Sequence, residues 1–230
     1  MKDCLIIFAK EPKKGKVKTR LQEYLTKNLC LNLYKAFLRD TLALAEKISC
    51  EHKILAYDSH GKNPRYLKKI APWYTFYKQK GECLGERMHN AFIFAKDAGA
   101  SKIVIIGSDA PTLPASSIKK AFGLLGRADL VLGPSLDGGY YLIGLKSPRA
   151  GLFKDIAWSS PAVFKDTLKN ARKFKQSVAL LDKRYDIDEV KDLLRLKNDL
   201  SEIRNRNVAR WTRKIMNSVS QLTDKNNKIV

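Results

Sequence analysis

Short apolar runs separated by stretches of helical spacing constrain this chain more than any other feature. Strand-like runs occur at 4–9, 53–57, 73–77, 102–107, 129–133, 140–145 and 177–181, and helical patterns fill 19–27, 31–48, 85–98, 116–125 and 160–173. Alternation of this kind predicts an α/β fold, a single-domain three-layer sandwich around a mostly parallel central sheet. Ile103 to Ile106 is apolar without alternation, as a central strand covered on both faces should be. The two runs flanking Asp137-Gly138-Gly139 lie so close that the second is a candidate for antiparallel entry. Nothing in residues 1–200 resembles a repeat or a linker. From about Ser201 the character changes. Val208, Trp211, Ile215, Val219 and Leu222 recur at helical spacing beside Arg204, Arg206, Arg210, Arg213 and Lys214, and the polar tail TDKNNKIV follows. The expected division is a domain over 1–200 and a basic amphipathic helix with its tail over 201–230. That helix either docks its stripe on the domain or meets a membrane surface or another subunit.

Charge narrows the partners without naming one. Lys and Arg total 44 against 23 Asp and Glu, a formal net charge of +21 over 230 residues. Such a field attracts nucleotides, nucleic acid or anionic lipid heads, although basic enzymes without a polyanion partner also exist. No run of 18 apolar residues is present to span a bilayer. MKDCLIIFAKEP has too short an apolar core for a signal peptide and reads as a strand. Cys4, Cys30, Cys50 and Cys83 form no C-x-x-C pair, which argues against a disulfide framework or a zinc site and for a cytoplasmic protein. His52, His60 and His89 share no spacing with an acid or a cysteine, so no covalent nucleophile is inferred.

The stretch from Phe8 to Leu21, FAKEPKKGKVKTRL, joins the first strand to the next helical pattern. Lys10, Lys13, Lys14, Lys16, Lys18 and Arg20 are opposed there only by Glu11. A basic loop between a buried strand and a helix N-terminus can hold phosphate oxygens through backbone N–H groups, the helix dipole and flexible cations. Gly15 allows the turn or a close backbone approach. Thr19 and Gln22 have capping-box spacing, which predicts a helix start at Thr19. The string lacks the second glycine of a Walker loop, and no G-x-G-x-x-G is present. A solvated lysine-rich turn is the alternative.

Carboxylates supply the complementary chemistry. Asp109 follows the run KIVIIGS, at the carboxyl end of a strand where open α/β sheets bind ligands; a turn-forming Asp before Ala-Pro is the plain alternative. Asp186 and Asp188 flank Ile187, so in an extended segment both face one side. Two carboxylates about 4 Å apart repel by roughly 4 kcal/mol at an effective dielectric of 20. A divalent cation or a basic group between them removes that cost. Mg²⁺ accepts such oxygen ligands, while Asp188 also suits a helix N-cap. Asp137 precedes Gly138 and Gly139, where backbone can approach a ligand, or where a type I′ turn needs those residues. Gly85, Glu86 and Arg87 open a helix that could hold an anion. Trp158, in Trp-Ser-Ser-Pro, either stacks on substrate or packs in the core.

Five blocks, FAKEPKKGKVKTRL, LGERM (84–88), GSDAPTL (107–113), GPSLDGGYYLIG (133–144) and YDIDEVKDL (185–193), resemble in content and order a bacterial family with the glycosyltransferase-A fold. Its members are provisionally described as nucleotide-diphospho-sugar transferases, some of them as arsenosugar-biosynthesis glycosyltransferases. They are distantly similar to phospholactate guanylyltransferase and the molybdenum-cofactor nucleotidyltransferases. The resemblance implies a metal-dependent glycosyltransferase using a nucleotide-diphospho-sugar and Mg²⁺ or Mn²⁺. The alternative is a nucleotidyltransferase joining an NTP to a small phosphorylated substrate. On this resemblance Asp109, Asp186 and Asp188 hold the metal. Lys10, Gly15, Lys18, Thr19, Arg20 and Arg87 meet the nucleotide, with Lys18, Arg20 and Asp109 catalytic. Asp137, Gly138, Gly139 and Trp158 meet the other substrate. A nucleic-acid partner is not expected, and peripheral membrane contact through the C-terminal helix stays open. A non-enzymatic basic protein binding RNA or membrane is the remaining class.

Overall fold

The computed structural model describes residues 2–59 and 63–225, with side chains described as far as Val219; His60 and the side chain of Leu222 lie outside this part. Among the described residues seven strands form one sheet: β1 (Asp3–Lys10), β2 (His52–Asp58), β3 (Thr75–Lys78), β4 (Lys102–Ile106), β5 (Leu130–Pro134), β6 (Tyr140–Leu145) and β7 (Val178–Leu180). Their order is β3-β2-β1-β4-β6-β5-β7. Every pairing is parallel except those of β6, which runs antiparallel to β4 and β5. The short Asp137-Gly138-Gly139 connection forces that reversal, because a parallel strand needs a long crossover.

The unbroken apolar runs have a simple cause. Along β1 and β4 successive side chains enter opposite cores: Leu5, Ile7, Val104 and Ile106 pack on one face, and Cys4, Ile6, Ile103 and Ile105 on the other. The first face is covered by α1 (Lys27–Ala45), α2 (Arg65–Ile70) and α4 (Ala115–Leu124). Opposite lie α3 (Leu84–Asp97), with Met88, Ala91, Phe92 and Ala95 inward, and α5 (Val163–Lys173). This is the expected three-layer α/β sandwich. The outer side of α1 builds a third core with α6 (Val190–Glu202) and α7 (Arg210–Lys225), around Leu33, Phe37, Leu196 and Met216.

Chain order reverses at β1: the next strand, β2, lies on one side of it and β4 on the other. The crevice at the carboxyl ends of β1 and β4 is therefore a topological switch point, the usual ligand position in such sheets.

Two local expectations are corrected. No α-helix starts at Thr19. Lys18 takes a left-handed conformation (φ 48, ψ 47), a 3-10 turn covers Thr19–Glu23, and the Gln22 amide donates to the Val17 carbonyl instead of closing a capping box. Helix α1 starts eight residues later, where Thr26 accepts from Leu29 N. The C-terminal helix docks, but not on the apolar stripe alone. Asp40 of α1 accepts from Trp211 N, Thr212 N and the Thr212 hydroxyl at 3.1, 2.8 and 2.6 Å. That anchor turns Thr212, Met216 and Val219 inward and leaves Trp211 and Ile215 half-buried at the edge.

Candidate functional site

The basic loop leaves β1 at the switch point. Lys10, Lys13, Lys14 and Lys16 are exposed, and Gly15 makes the turn at φ +77. Glu11, the one acid in the loop, is occupied elsewhere: its carboxylate accepts from Tyr66 N and Leu67 N at 2.7 and 3.2 Å and caps α2. The lysines are thus left without a counter-charge from within the loop. The Tyr34 hydroxyl, buried beneath, accepts from Lys10 N at 2.7 Å and lies 3.3 Å from Ser108 Oγ. It ties the end of β1 to the end of β4.

Lys18 points inward. Its ammonium sits 2.6 Å from Asp109 Oδ1 and 3.1 Å from Asp188 Oδ1, donates to the Ile187 carbonyl at 2.6 Å, and its side chain is only 4% exposed. Burial works against that charge, but the Asp109 and Asp188 carboxylates outweigh it and hold the lysine above its ordinary pKa. Of the two basic residues assigned to phosphate at the loop's end, Lys18 therefore neutralises carboxylates. Arg20 is the accessible one, with its side chain 63% exposed and only a long ion pair, 3.9 Å, to Glu189. Thr19 is also exposed.

The chain brings Asp109, Asp186 and Asp188 to one place. The Asp109 carbonyl accepts from Ile187 N at 3.0 Å, which fastens the β4 end to the Asp186–Asp188 segment. Asp186 is half-buried and lines the pocket beside them. Burial and the Asp109, Asp188 and Asp137 carboxylates push its pKa up to about 7, against the opposing pull of Lys18. Among the described residues, no three or more His, Cys, Asp or Glu side chains are arranged to hold a metal by themselves. Two features nonetheless fit a hard divalent cation. Asp109 is paired to Lys18 through Oδ1, and its side chain stays 38% exposed. Asp186 has neither hydrogen bond nor ion pair among the described residues. An all-oxygen set of this size suits Mg²⁺ or Mn²⁺, which take their remaining ligands from water and phosphate.

The remaining predicted residues divide. Asp137 is held by its own turn, with Oδ1 accepting from Ser135 Oγ at 2.5 Å and Gly139 N at 3.0 Å. Gly138 (φ +89) is needed for packing within the chain, because a Cβ there would lie 2.2 Å from the Pro161 carbonyl oxygen. Trp158 packs on the second core, its indole against Gly85, where an added Cβ would fall 2.3 Å from the ring. Arg87 donates to the Gly81 carbonyl at 3.0 Å and lies 3.6 Å from Asp58, bracing the loop beyond β3.

A pocket of about 310 Å³ opens beside the carboxylates, lined by Arg20, Leu136, Asp137, Tyr185, Asp186, Asp188, Lys191 and Arg195 among others. Tyr185, Lys191 and Arg195 were not singled out from the sequence. Their signal is there in retrospect: Lys191 and Arg195 are four apart on the helix that follows Asp188, so they share a face.

Residues 41–160, just over half of the chain, match the family described as "Uncharacterized protein conserved in bacteria (DUF2064)". The chain belongs to this DUF2064 family. The matched span holds Arg87, Asp109 and Asp137 but neither the basic loop nor Asp186 and Asp188. A Desulfovibrio desulfuricans G20 protein, provisionally named a nucleotide-diphospho-sugar transferase, superposes on this DUF2064 chain with a TM-score of 0.90. It is 31% identical, and the match covers 98% of each chain. A cytidylyltransferase from Leptospira borgpetersenii shares the fold at a TM-score of 0.57 and 14% identity, over 100% of this chain and 99% of its own. Rv0371c from Mycobacterium tuberculosis, crystallised as a complex with manganese, does so at 0.53 and 15%, over 85% and 98%. At those identities the likeness is one of fold. No curated protein matches the chain. Among the described residues no helix is long and apolar enough to cross a membrane.

Proposed function

We propose that this protein is a metal-dependent glycosyltransferase that uses a nucleotide-diphospho-sugar. The observation that carries the reading is the meeting, at one switch point, of an uncompensated basic loop with three carboxylates. The near-full-length likeness to a protein provisionally named a nucleotide-diphospho-sugar transferase supports it. Lys10, Lys13, Lys14, Lys16 and Arg20 bind the diphosphate and offset the charge that develops as it departs. Asp109, Asp186 and Asp188 would hold Mg²⁺ or Mn²⁺, which supplies further positive charge to the leaving diphosphate. Lys18 keeps Asp109 and Asp188 close together and their charge balanced. Tyr34 fixes the two strand ends that carry the loop and Asp109.

One observation favours a second reading, nucleotidyl transfer from an NTP to a small phosphorylated substrate. Four exposed, uncompensated lysines are more than a diphosphate requires and would suit a triphosphate. A panel of nucleotide sugars and NTPs with Mn²⁺ separates the two. Release of nucleoside diphosphate from a nucleotide sugar supports glycosyl transfer, and release of pyrophosphate from an NTP supports nucleotidyl transfer. Binding only to RNA or anionic liposomes, weakening steeply with salt, would exclude both.

A further inference from the structure

We infer that the end of the molecule opposite the nucleotide crevice docks on an anionic lipid bilayer. Trp73 is the side chain that enters the bilayer interface, and Lys47, Lys68 and Lys69 meet the headgroups. This does not depend on the transferase reading above.

Topology sets the place. β3 runs parallel to β2, and Trp73 lies just before its first paired residue, Thr75. Trp73 therefore stands at the amino ends of the parallel strands, whereas the crevice lies at their carboxyl ends. Lys47 follows α1, and Lys68 and Lys69 close α2 on the way to Trp73; all three are exposed. Lys2 before β1, Lys96 in the last turn of α3 and Arg127 after α4 are exposed at the same end. A bilayer docked there leaves the crevice open to water-soluble nucleotides.

Trp73 is the most exposed large apolar side chain among the described residues, at 66%. It is nonetheless held, because its indole N–H donates to Glu46 Oε1 at 3.2 Å. The same carboxylate accepts from the Tyr74 hydroxyl at 3.0 Å and pairs with Lys53 at 3.1 Å, so its charge is already matched. Glu51 and Asp97 are the other exposed acids in these segments, and the cations outnumber them. An indole with its N–H on a polar group and its ring facing out is the arrangement tryptophan takes at a bilayer interface. Lysines around it add attraction to anionic headgroups.

Other occupants fit less well. A second copy of the chain brings the same +21 charge and is repelled. A single-stranded nucleic acid needs successive rings to stack on, but Tyr74 is buried and Phe76 is half-buried against Tyr57. On α7, Trp211 is half-buried at the edge of its own core.

The test mixes the full chain with phosphatidylcholine vesicles, with and without phosphatidylglycerol, at near-physiological salt. Co-sedimentation and tryptophan emission read the binding. Wild type should bind only the anionic vesicles, with a blue shift of emission. Trp73→Ala should remove the blue shift and weaken binding by about tenfold or more. Lys47→Gln, Lys68→Gln and Lys69→Gln together should weaken it by about a hundredfold, roughly fivefold for each lysine. Arg210→Gln with Lys214→Gln, exposed positions on α7, should bind close to wild type. Should Trp73→Ala fail to fold, the lysine variant and the α7 control decide. The proposal is overturned if wild type does not bind, if Trp73→Ala keeps the blue shift, or if the α7 control loses as much affinity as the lysine variant. Binding to poly(U) RNA that Trp73→Ala weakens tenfold would assign the face to nucleic acid and overturn it as well.

Discussion

Replacing Lys18 with methionine keeps the apolar stem and removes the ammonium that balances Asp109 and Asp188. Removing one member of a buried ion pair costs about 3–5 kcal/mol, because the other charge is left uncompensated. Here the partners keep 38% and 47% of their side-chain exposure, so water recovers part of that cost. About 2–3 kcal/mol is the expected loss. For a chain of this length it corresponds to a Tm lower by roughly 5–10 °C. The effect has a sign in pH. With the lysine gone, Asp186 loses the pull that opposes its raised pKa, so the deficit should be large at pH 8 and shrink toward pH 5. Millimolar Mn²⁺ should recover part of it at pH 8. Differential scanning calorimetry with a chelator, then with Mn²⁺, reads all three effects. A variant that melts like wild type at pH 8 in chelator would refute the placement of Lys18 between the two acids.

Asp186 gives an independent pH prediction. Its pKa of about 7 in the folded chain lies above the roughly 4 of an unfolded aspartate. The folded state therefore binds the extra proton between those values, and stability falls as pH rises through that window. Asp186→Asn should match wild type at pH 4 and melt higher at pH 8 in chelator; equal melting at both pH values would place the aspartate in water. Arg20→Ala should weaken a nucleoside diphosphate far more than the bare nucleoside in calorimetry, and equal weakening would point to a collapsed loop. Deleting residues 203–230 removes the packing of Met216 and Val219 and all three donors to Asp40. The loss is about 5 kcal/mol, seen as a Tm lower by about 10 °C or more. A truncated chain with unchanged melting that loses binding to anionic liposomes would instead support a membrane role for the helix.

What the sequence showed and what it hid follow from the range of the interactions concerned. The apolar runs of β1 and β4 are legible because burial on both faces leaves no polar position in either core. The reversal at β6 is legible because Asp137 to Gly139 cannot span a crossover. Helix α2 is not: RYLKKI is short and basic, and its cap, Glu11, lies more than fifty residues earlier. Nor does the face of α7 follow from its own pattern, since Asp40, on another helix, sets the rotation. The loop reads as basic, yet nothing local marks Lys18 as the cation that turns inward, a choice made by Asp109 and Asp188 from far along the chain. Asp109 was legible as an acid at a strand end, and Asp186 and Asp188 as a pair facing one side of an extended segment. The wall formed by Tyr185, Lys191 and Arg195 needed the fold of α6 against the β5 turn.

The central claim, that the basic loop and the three acids form one nucleotide site completed by a divalent ion, is tested most directly by calorimetry. GDP, UDP and CDP are titrated into wild type and Asp109→Asn, with Mn²⁺ and with chelator. The account predicts that at least one nucleotide binds wild type only with Mn²⁺, and that Asp109→Asn keeps the wild-type fold and loses this binding. Equal affinity with and without Mn²⁺, or an unchanged Asp109→Asn titration, would contradict it.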